Sequence, residues 1–130
     1  MSQNFDQFLK IVIPAALDKK GSDISVINLE NQSSFVDGML IISGTSNRHI
    51  HTLATSIQKE LSLKGITSRL EGLTGCDWVL VDSSDGVVHI FKPDIRDFYN
   101  IEGMWSSCVT KVNPDDYEQN SNLSEDEETA

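Results

Sequence analysis

Three histidines, two cysteines and a scatter of aspartates are the residues of this chain with chemistry to offer. Their spacing closes most of the reactions they could run. His49 and His51 sit two apart in a segment that reads as a helix, so their side chains point about 200° apart and cannot converge on one ion. His89 is on a distant strand, and no H-x-x-x-H, carboxylate cluster or cysteine pair supplies a coordination shell, so neither a metal nor another cofactor is expected. Gly44-Thr45-Ser46-Asn47 ahead of a helix resembles the small-residue turns that offer backbone N–H groups to a phosphate. It lacks a Gly-x-Gly-x-x-Gly pattern and a Walker lysine, and Ser46 or Thr45 as a helix cap accounts for it. Nucleotidyl transfer would need carboxylates two apart on a strand, where they share a face and hold metals. The strands offer no Asp-x-Asp; Asp82 and Asp85 are three apart across a turn. Ser43-Gly44 lacks the Gly-x-Ser-x-Gly elbow, and Cys76 has no activating neighbours in sequence. No catalytic residue is assigned.

Binding chemistry is better represented. Trp78-Val-Leu-Val-Asp82 and Val87-Val-His-Ile-Phe91 read as a hairpin across Ser83-Ser84-Asp85-Gly86. With a two- or four-residue loop, Trp78, Leu80, Asp82, Val87, His89 and Phe91 share one face, and Val79, Val81, Val88 and Ile90 the other. The aliphatic face is core. The first face mixes aromatics with Asp and His, the composition of a half-exposed interface, although Trp78 and Phe91 could equally pack under the last helix. Arg96, Phe98, Tyr99 and Trp105 pose the same choice between closing the core and anchoring a partner.

The elements that position these residues follow from periodicity. Phe5, Phe8, Leu9, Val12, Ala16 and Leu17 have helical spacing, with a kink or break expected at Pro14 and a stop at Lys19-Lys20-Gly21. Ile24 to Leu29 alternates as a strand, Asn31 to Ser34 is turn chemistry, and Met39 to Ile42 is a strand covered on both faces. Ile50, Leu53, Ala54, Ile57 and Leu61 form the buried stripe of a second helix that Gly65 ends. A short strand at Ile66 to Leu70, the hairpin and a short helix from Pro93 to Tyr99 complete an α-β-β-α-β-β-β-α order. This predicts an α/β fold with a mixed β-sheet flanked by helices.

The chain has 130 residues, 38% of them hydrophobic, enough for one self-sufficient core. Two isolated cysteines suit a reducing compartment. No apolar run reaches the roughly 18 residues of a membrane span, and the first residues show no secretory or transit pattern, so a cytoplasmic location is expected. The net charge is −10. Seven acidic residues lie from Pro114 onward, with no Lys or Arg among them; removing them from the chain's 20 leaves 13 against 10 basic residues, a balance of −3. That body lacks the concentrated basic surface of a nucleic-acid binder and is compatible with a basic protein partner. The expected organisation is a folded domain over 1–111 and an acidic, disordered tail over 112–130.

A longer pattern joins these pieces. Asp23-Ile-Ser-Val, Ser33-Ser34…Asp37, Ser43-Gly-Thr-Ser-Asn-Arg48, Glu71-Gly72, Asp77-Trp78-Val-Leu-Val-Asp82, Asp85-Gly-Val-Val-His-Ile-Phe91, Arg96-Asp-Phe-Tyr-Asn-Ile-Glu102 and Trp105 stand in the order found in the Iojap family, the ribosomal silencing factors. The chain resembles that family from about Phe5 to Trp105. The resemblance implies a nucleotidyltransferase-like fold without catalytic carboxylates. It also implies an activity, which is docking on large-subunit ribosomal protein fourteen and steric obstruction of subunit joining, with a homodimer when free. The alternative is a nucleotide-binding or nucleotidyltransferase-like enzyme on the same fold. Under the first reading the expected partner-binding residues are Trp78, Asp82, Asp85, His89, Tyr99, Glu102 and Trp105. Two departures stand out: Gly38 replaces a residue that is usually large, with weaker strand stability expected, and Gly86 replaces an aliphatic one, with a tighter turn expected.

Overall fold

In the computed structural model, residues 2–30 and 37–117 are described. They form helix α1 (Ser2–Asp18), strands β1 (Ser22–Asn28) and β2 (Gly38–Ser43), helix α2 (Asn47–Leu63), and strands β3 (Ser68–Glu71), β4 (Trp78–Ser83) and β5 (Val87–Phe91). Two short helices follow, α3 (Pro93–Tyr99) and α4 (Ile101–Met104), then a 3₁₀ turn at Ser106–Cys108 and strand β6 (Val109–Lys111). The sheet order is β3-β4-β5-β2-β1-β6. Only β2 and β5 run parallel; the other neighbours are antiparallel, so the sheet is mixed as the sequence predicts. The expected turn at Asn31–Ser34 and residues 118–130 of the expected tail lie outside the described residues.

Helix α1 does not break at Pro14; one helix runs through it. Proline removes the bond to the Lys10 carbonyl, but Lys10 is exposed and Pro14 only half-buried, so the freed carbonyl lies on the solvent side. Phe5, Phe8, Val12, Ile13 and Ala16 are buried on both sides of the proline, and their packing holds the helix in one piece. The helix ends in a Schellman turn, with Gly21 N–H donating to Ala16 O at 2.8 Å and Lys20 N–H to Leu17 O at 3.0 Å. The left-handed residue is Lys20, at φ 68°, not Gly21. Helix α2 starts at Ser46, whose hydroxyl accepts from His49 N–H, and it buries the expected five residues. His49 then joins the two helices: its Nε2 donates to Lys19 O at 2.7 Å while Nδ1 accepts from Thr45 N–H at 2.9 Å.

Both faces of the sheet are used. Helices α1 and α2 cover one, over Ile24, Leu40, Ile42, Val79, Val81, Val88 and Ile90. The other carries a smaller cluster of Ile27, Leu29, Ile41, Phe91 and Ile101, bordered by Met39, Trp78, Ile95, Trp105, Cys108 and Val109. The two unusual glycines serve the first face. A Cβ on Gly38 would lie 2.1 Å from the Phe5 ring, and one on Gly86 2.7 Å from the Phe8 ring. The phenylalanines of α1 fill the space that a larger residue at either position would take. Gly86 is therefore a matter of room and not of turn conformation, since its φ is not positive.

The end of the chain was only partly legible. Strand β6 is three residues long, too short for a period, and exists by pairing Val109, Thr110 and Lys111 with Ile27, Val26 and Ser25. The expected domain boundary at 111 falls inside packed chain: Val112 N–H donates to Ile24 O at 2.9 Å, and Val112 and Tyr117 lie against the larger core.

Candidate functional site

The β4–β5 register pairs Trp78 with Phe91, Leu80 with His89 and Asp82 with Val87. The sequence-predicted faces are thus the real ones: Val79, Val81, Val88 and Ile90 are wholly buried, and Trp78, Leu80, Asp82 and Val87 on the opposite face are half-buried. Helix α3 begins with Pro93 at its first turn and brings Tyr99 down beside this face. The Trp78 ring lies 5.0 Å from Phe91 and 4.8 Å from Tyr99, centroid to centroid. Phe91 is core, while Trp78 and Tyr99 reach the surface.

His89, expected at the partner surface, is 8% exposed and lies beneath this cluster. The Trp78 indole N–H donates to its Nδ1 at 3.0 Å, and since indole nitrogen only donates, that nitrogen carries no proton. Its Nε2 faces Met39 Sδ at 3.2 Å, which places the proton there. Burial lowers the His89 pKa to about 4, so the ring is neutral at pH 7.

Glu102, half-buried, is likewise engaged by the protein's own side chains. Its carboxylate receives Arg96 Nε at 3.0 Å and Arg96 Nη2 at 2.6 Å, a bidentate pair, and also accepts from the Ser25 hydroxyl at 2.6 Å. Arg96 Nη1 donates to Ser43 Oγ at 2.7 Å and Nη2 to Ser25 Oγ at 3.1 Å. Hydrogen bonds from Arg96 lead the causes that lower the Glu102 pKa to about 2, against the opposing effect of burial. Lys111 on β6 adds a cation at 3.7 Å. Trp105, also on the expected list, is half-buried against the smaller core cluster.

Two residues for which the sequence left the choice open or gave no sign complete the surface. Phe98 is 79% exposed, Met104 70% and Tyr99 48%. In α3 two residues are exchanged relative to an amphipathic helix: Arg96 is 7% exposed and Phe98 faces solvent, while Ile95 packs on the smaller cluster. The only available signal was that a seven-residue helix with Ile95, Arg96, Phe98 and Tyr99 cannot bury all four. Phe98 meets Tyr99 edge to face at 5.1 Å.

Carboxylates outnumber cations along β3, β4, β5 and α3. Asp82 shares Arg69 with Glu71, at 3.7 and 3.6 Å, and Asp77 pairs with Lys92 at 3.1 Å. Asp85 sits in the hairpin turn, its N–H donating to Ser83 Oγ. From Ser68 to Tyr99, Glu71, Asp77, Asp82, Asp85, Asp94 and Asp97 face the solvent wholly or in part, against only Arg69 and Lys92, with Arg96 buried. Among the described residues no group of three or more His, Cys, Asp or Glu could hold a metal ion. In the Gly44 turn, Gly44 N–H is taken by Phe91 O and Thr45 N–H by His49, so the amides an anion would need are partly spent. No helix among the described residues is long and apolar enough to cross a membrane.

The family profile described as "RsfS: Ribosomal silencing factor during starvation" matches residues 2–130. The chain belongs to the ribosomal silencing factor family. It is 38% identical over 101 residues to the Ribosomal silencing factor RsfS of Zymomonas mobilis, spanning 77% of this chain and 76% of that one. To the Bacillus subtilis protein of the same name it is 37% identical over 106 residues, 81% of this chain and 90% of that one. A crystal structure of a Chromobacterium violaceum protein superposes with a TM-score of 0.76 at 37% identity, covering 78% of this chain and 86% of that one. The fold and the family resemblance read from the sequence both hold, and the relatives' names describe a regulatory factor of the ribosome. The profile also extends past Trp105, where the resemblance had stopped.

Proposed function

We propose that this silencing factor binds the large ribosomal subunit through ribosomal protein fourteen and, once bound, blocks joining of the small subunit. The observation that carries the reading is the exposed pair Phe98 and Tyr99, in contact with Trp78, in a stretch of chain where solvent-facing carboxylates outnumber cations. Large aromatics framed by charge are the composition of a protein interface, and exposed apolar groups clustered in this way mark interaction sites. A ribosomal protein must be basic enough to sit on RNA, which complements this acidic stretch. The docked partner buries the aromatics, while Asp82 and Asp85 meet Lys or Arg at the rim. The role is regulatory and non-catalytic, needs no cofactor, and is exercised in the cytoplasm where ribosomes assemble. The same apolar group also suits a homodimer of the free protein, which a competition between dimer and ribosome would reveal.

Co-sedimentation with isolated large subunits tests the reading, with Phe98→Ala as the decisive variant. Phe98 is so exposed that its truncation leaves folding untouched. An anchor lost from an interface centre costs about 2 kcal/mol, roughly 30-fold in Kd. Wild-type sedimentation by folded Phe98→Ala and Tyr99→Ala variants places the contact elsewhere. Magnesium-dependent turnover of a nucleoside triphosphate that is lost in Asp82→Asn would favour the enzyme reading instead.

A further inference from the structure

Ile95 packs on the smaller core cluster and Tyr99 on Trp78, but apolar contact does not account for Arg96 being buried beside them while Phe98 is exposed. A partial turn of this seven-residue helix would bring Phe98 toward the sheet and release Arg96, an exchange that the hydrophobic effect favours for that pair of residues. The helix is also too short to be stable by itself, as is the four-residue α4 that follows it. What opposes the turn is a polar niche in the sheet. Ser25 on β1 and Ser43 on β2 are buried hydroxyls in otherwise apolar strands, and both point their oxygens at the Arg96 guanidinium. Glu102 on α4 closes the niche from the other side and is tied to Ser25 as well. Between the helices, Asn100 takes a left-handed φ of 46°, donates its N–H to Arg96 O at 2.8 Å and accepts Gly103 N–H on its side chain at 3.2 Å.

We infer that Arg96 and Glu102 are positioning residues, whose buried ion pair fixes α3 and α4 on the sheet so that Phe98, Tyr99 and Met104 are held outward for a partner. This rests on the proposed function only for the identity of the partner. A buried ion pair is a poor source of net stability compared with apolar side chains of similar size. Its value here is directional: a bidentate guanidinium–carboxylate pair has one geometry, and an apolar contact has many.

That distinction sets the experiment. Arg96→Met, Glu102→Leu and the double variant are compared with wild type and with Phe98→Ala by thermal unfolding, near-UV circular dichroism and co-sedimentation with large subunits. Each single variant strands a polar or charged group and loses melting temperature. The double variant recovers most of that loss, yet its near-UV signal from the Trp78–Tyr99 contact collapses and its Kd rises about tenfold or more. Phe98→Ala shows the opposite split, with binding lost and the near-UV signal intact. A folded double variant with the wild-type near-UV spectrum and wild-type affinity overturns the inference. If wild type itself does not sediment with large subunits, the proposed function falls, and the near-UV comparison alone decides the positioning role. Should the double variant not fold, hydrogen exchange on wild type decides. The Asn100 and Gly103 amides are expected to exchange at least about 100-fold slower than an open chain, and open-chain rates there mean the segment is not held.

Discussion

Replacing Gly38 with alanine sets two effects of opposite sign against each other. Glycine inside a strand costs about 0.5–1 kcal/mol relative to alanine, so propensity alone makes Gly38→Ala stabilising. The added methyl, however, would stand 2.1 Å from Cζ of Phe5, 2.4 Å from Cε2 and 2.7 Å from Cε1, overlapping the far end of the ring. Phe5 is 1% exposed and packs beside Phe8 at 6.2 Å between centroids, so it has no free space to yield. Overpacking of this kind costs about 1–3 kcal/mol, which outweighs the propensity gain. The expected net loss is about 1–2 kcal/mol, and a Tm lowered by about 5 °C for a chain of this size. In a Phe5→Ala background, itself costing about 3–5 kcal/mol, the sign should reverse, because the methyl then enters a cavity. Urea unfolding of the four proteins, followed by far-UV circular dichroism, gives a coupling of about 2 kcal/mol, well above the roughly 0.5 kcal/mol within which independent sites add. A Gly38→Ala variant as stable as wild type, or two losses that simply add, would refute the assignment of the glycine to the ring above it.

Further outcomes follow from the same geometry. Because burial lowers the folded His89 pKa to about 4 from 6.5, the unfolded chain binds the extra proton first; stability is complete above about pH 6.5 and is lost as pH falls toward 4. Urea unfolding should show roughly 2 kcal/mol lost between pH 7 and pH 5, and most of that slope should vanish in His89→Gln. Glu102, with its pKa lowered to about 2, gives stability that is lost only below about pH 4.5, outside that window. Truncation after Tyr117 should leave Tm unchanged, since residues 118–130 hold a single large apolar side chain, Leu123. Truncation after Lys111 should lower Tm by a few degrees, because it removes Val112 and Tyr117 from the core; equal melting of the two forms would show that their packing is worthless. Asp82→Asn and Asp85→Asn should flatten the salt dependence of large-subunit binding more than they weaken it, and a salt dependence unchanged in both would move the acidic rim elsewhere.

The amino-acid sequence determined whatever depends on local periodicity. The α2 stripe from Ile50 to Leu61, its Ser46 cap and the two faces of the β4–β5 hairpin follow from spacings of 3.6 and 2, and each is where the spacing puts it. The family string from Trp78 to Trp105 was equally readable. Tertiary structure decided which polar groups are spent inside the protein. Glu102 and His89 look like surface chemistry in sequence, but besides Arg96 and Trp78 each has a distant partner, Ser25 and Met39, 77 and 50 residues away. Arg96 goes inward and Phe98 outward because the sheet presents two serine hydroxyls at that place, which no window around α3 contains. The same holds for Pro14, tolerated because α1 is packed on both sides of it, for β6, which exists through β1, and for Gly38 and Gly86, explained by rings from α1. A sequence records which faces are apolar; whether a charged or aromatic side chain is satisfied or offered depends on contacts between segments that only the folded chain brings together.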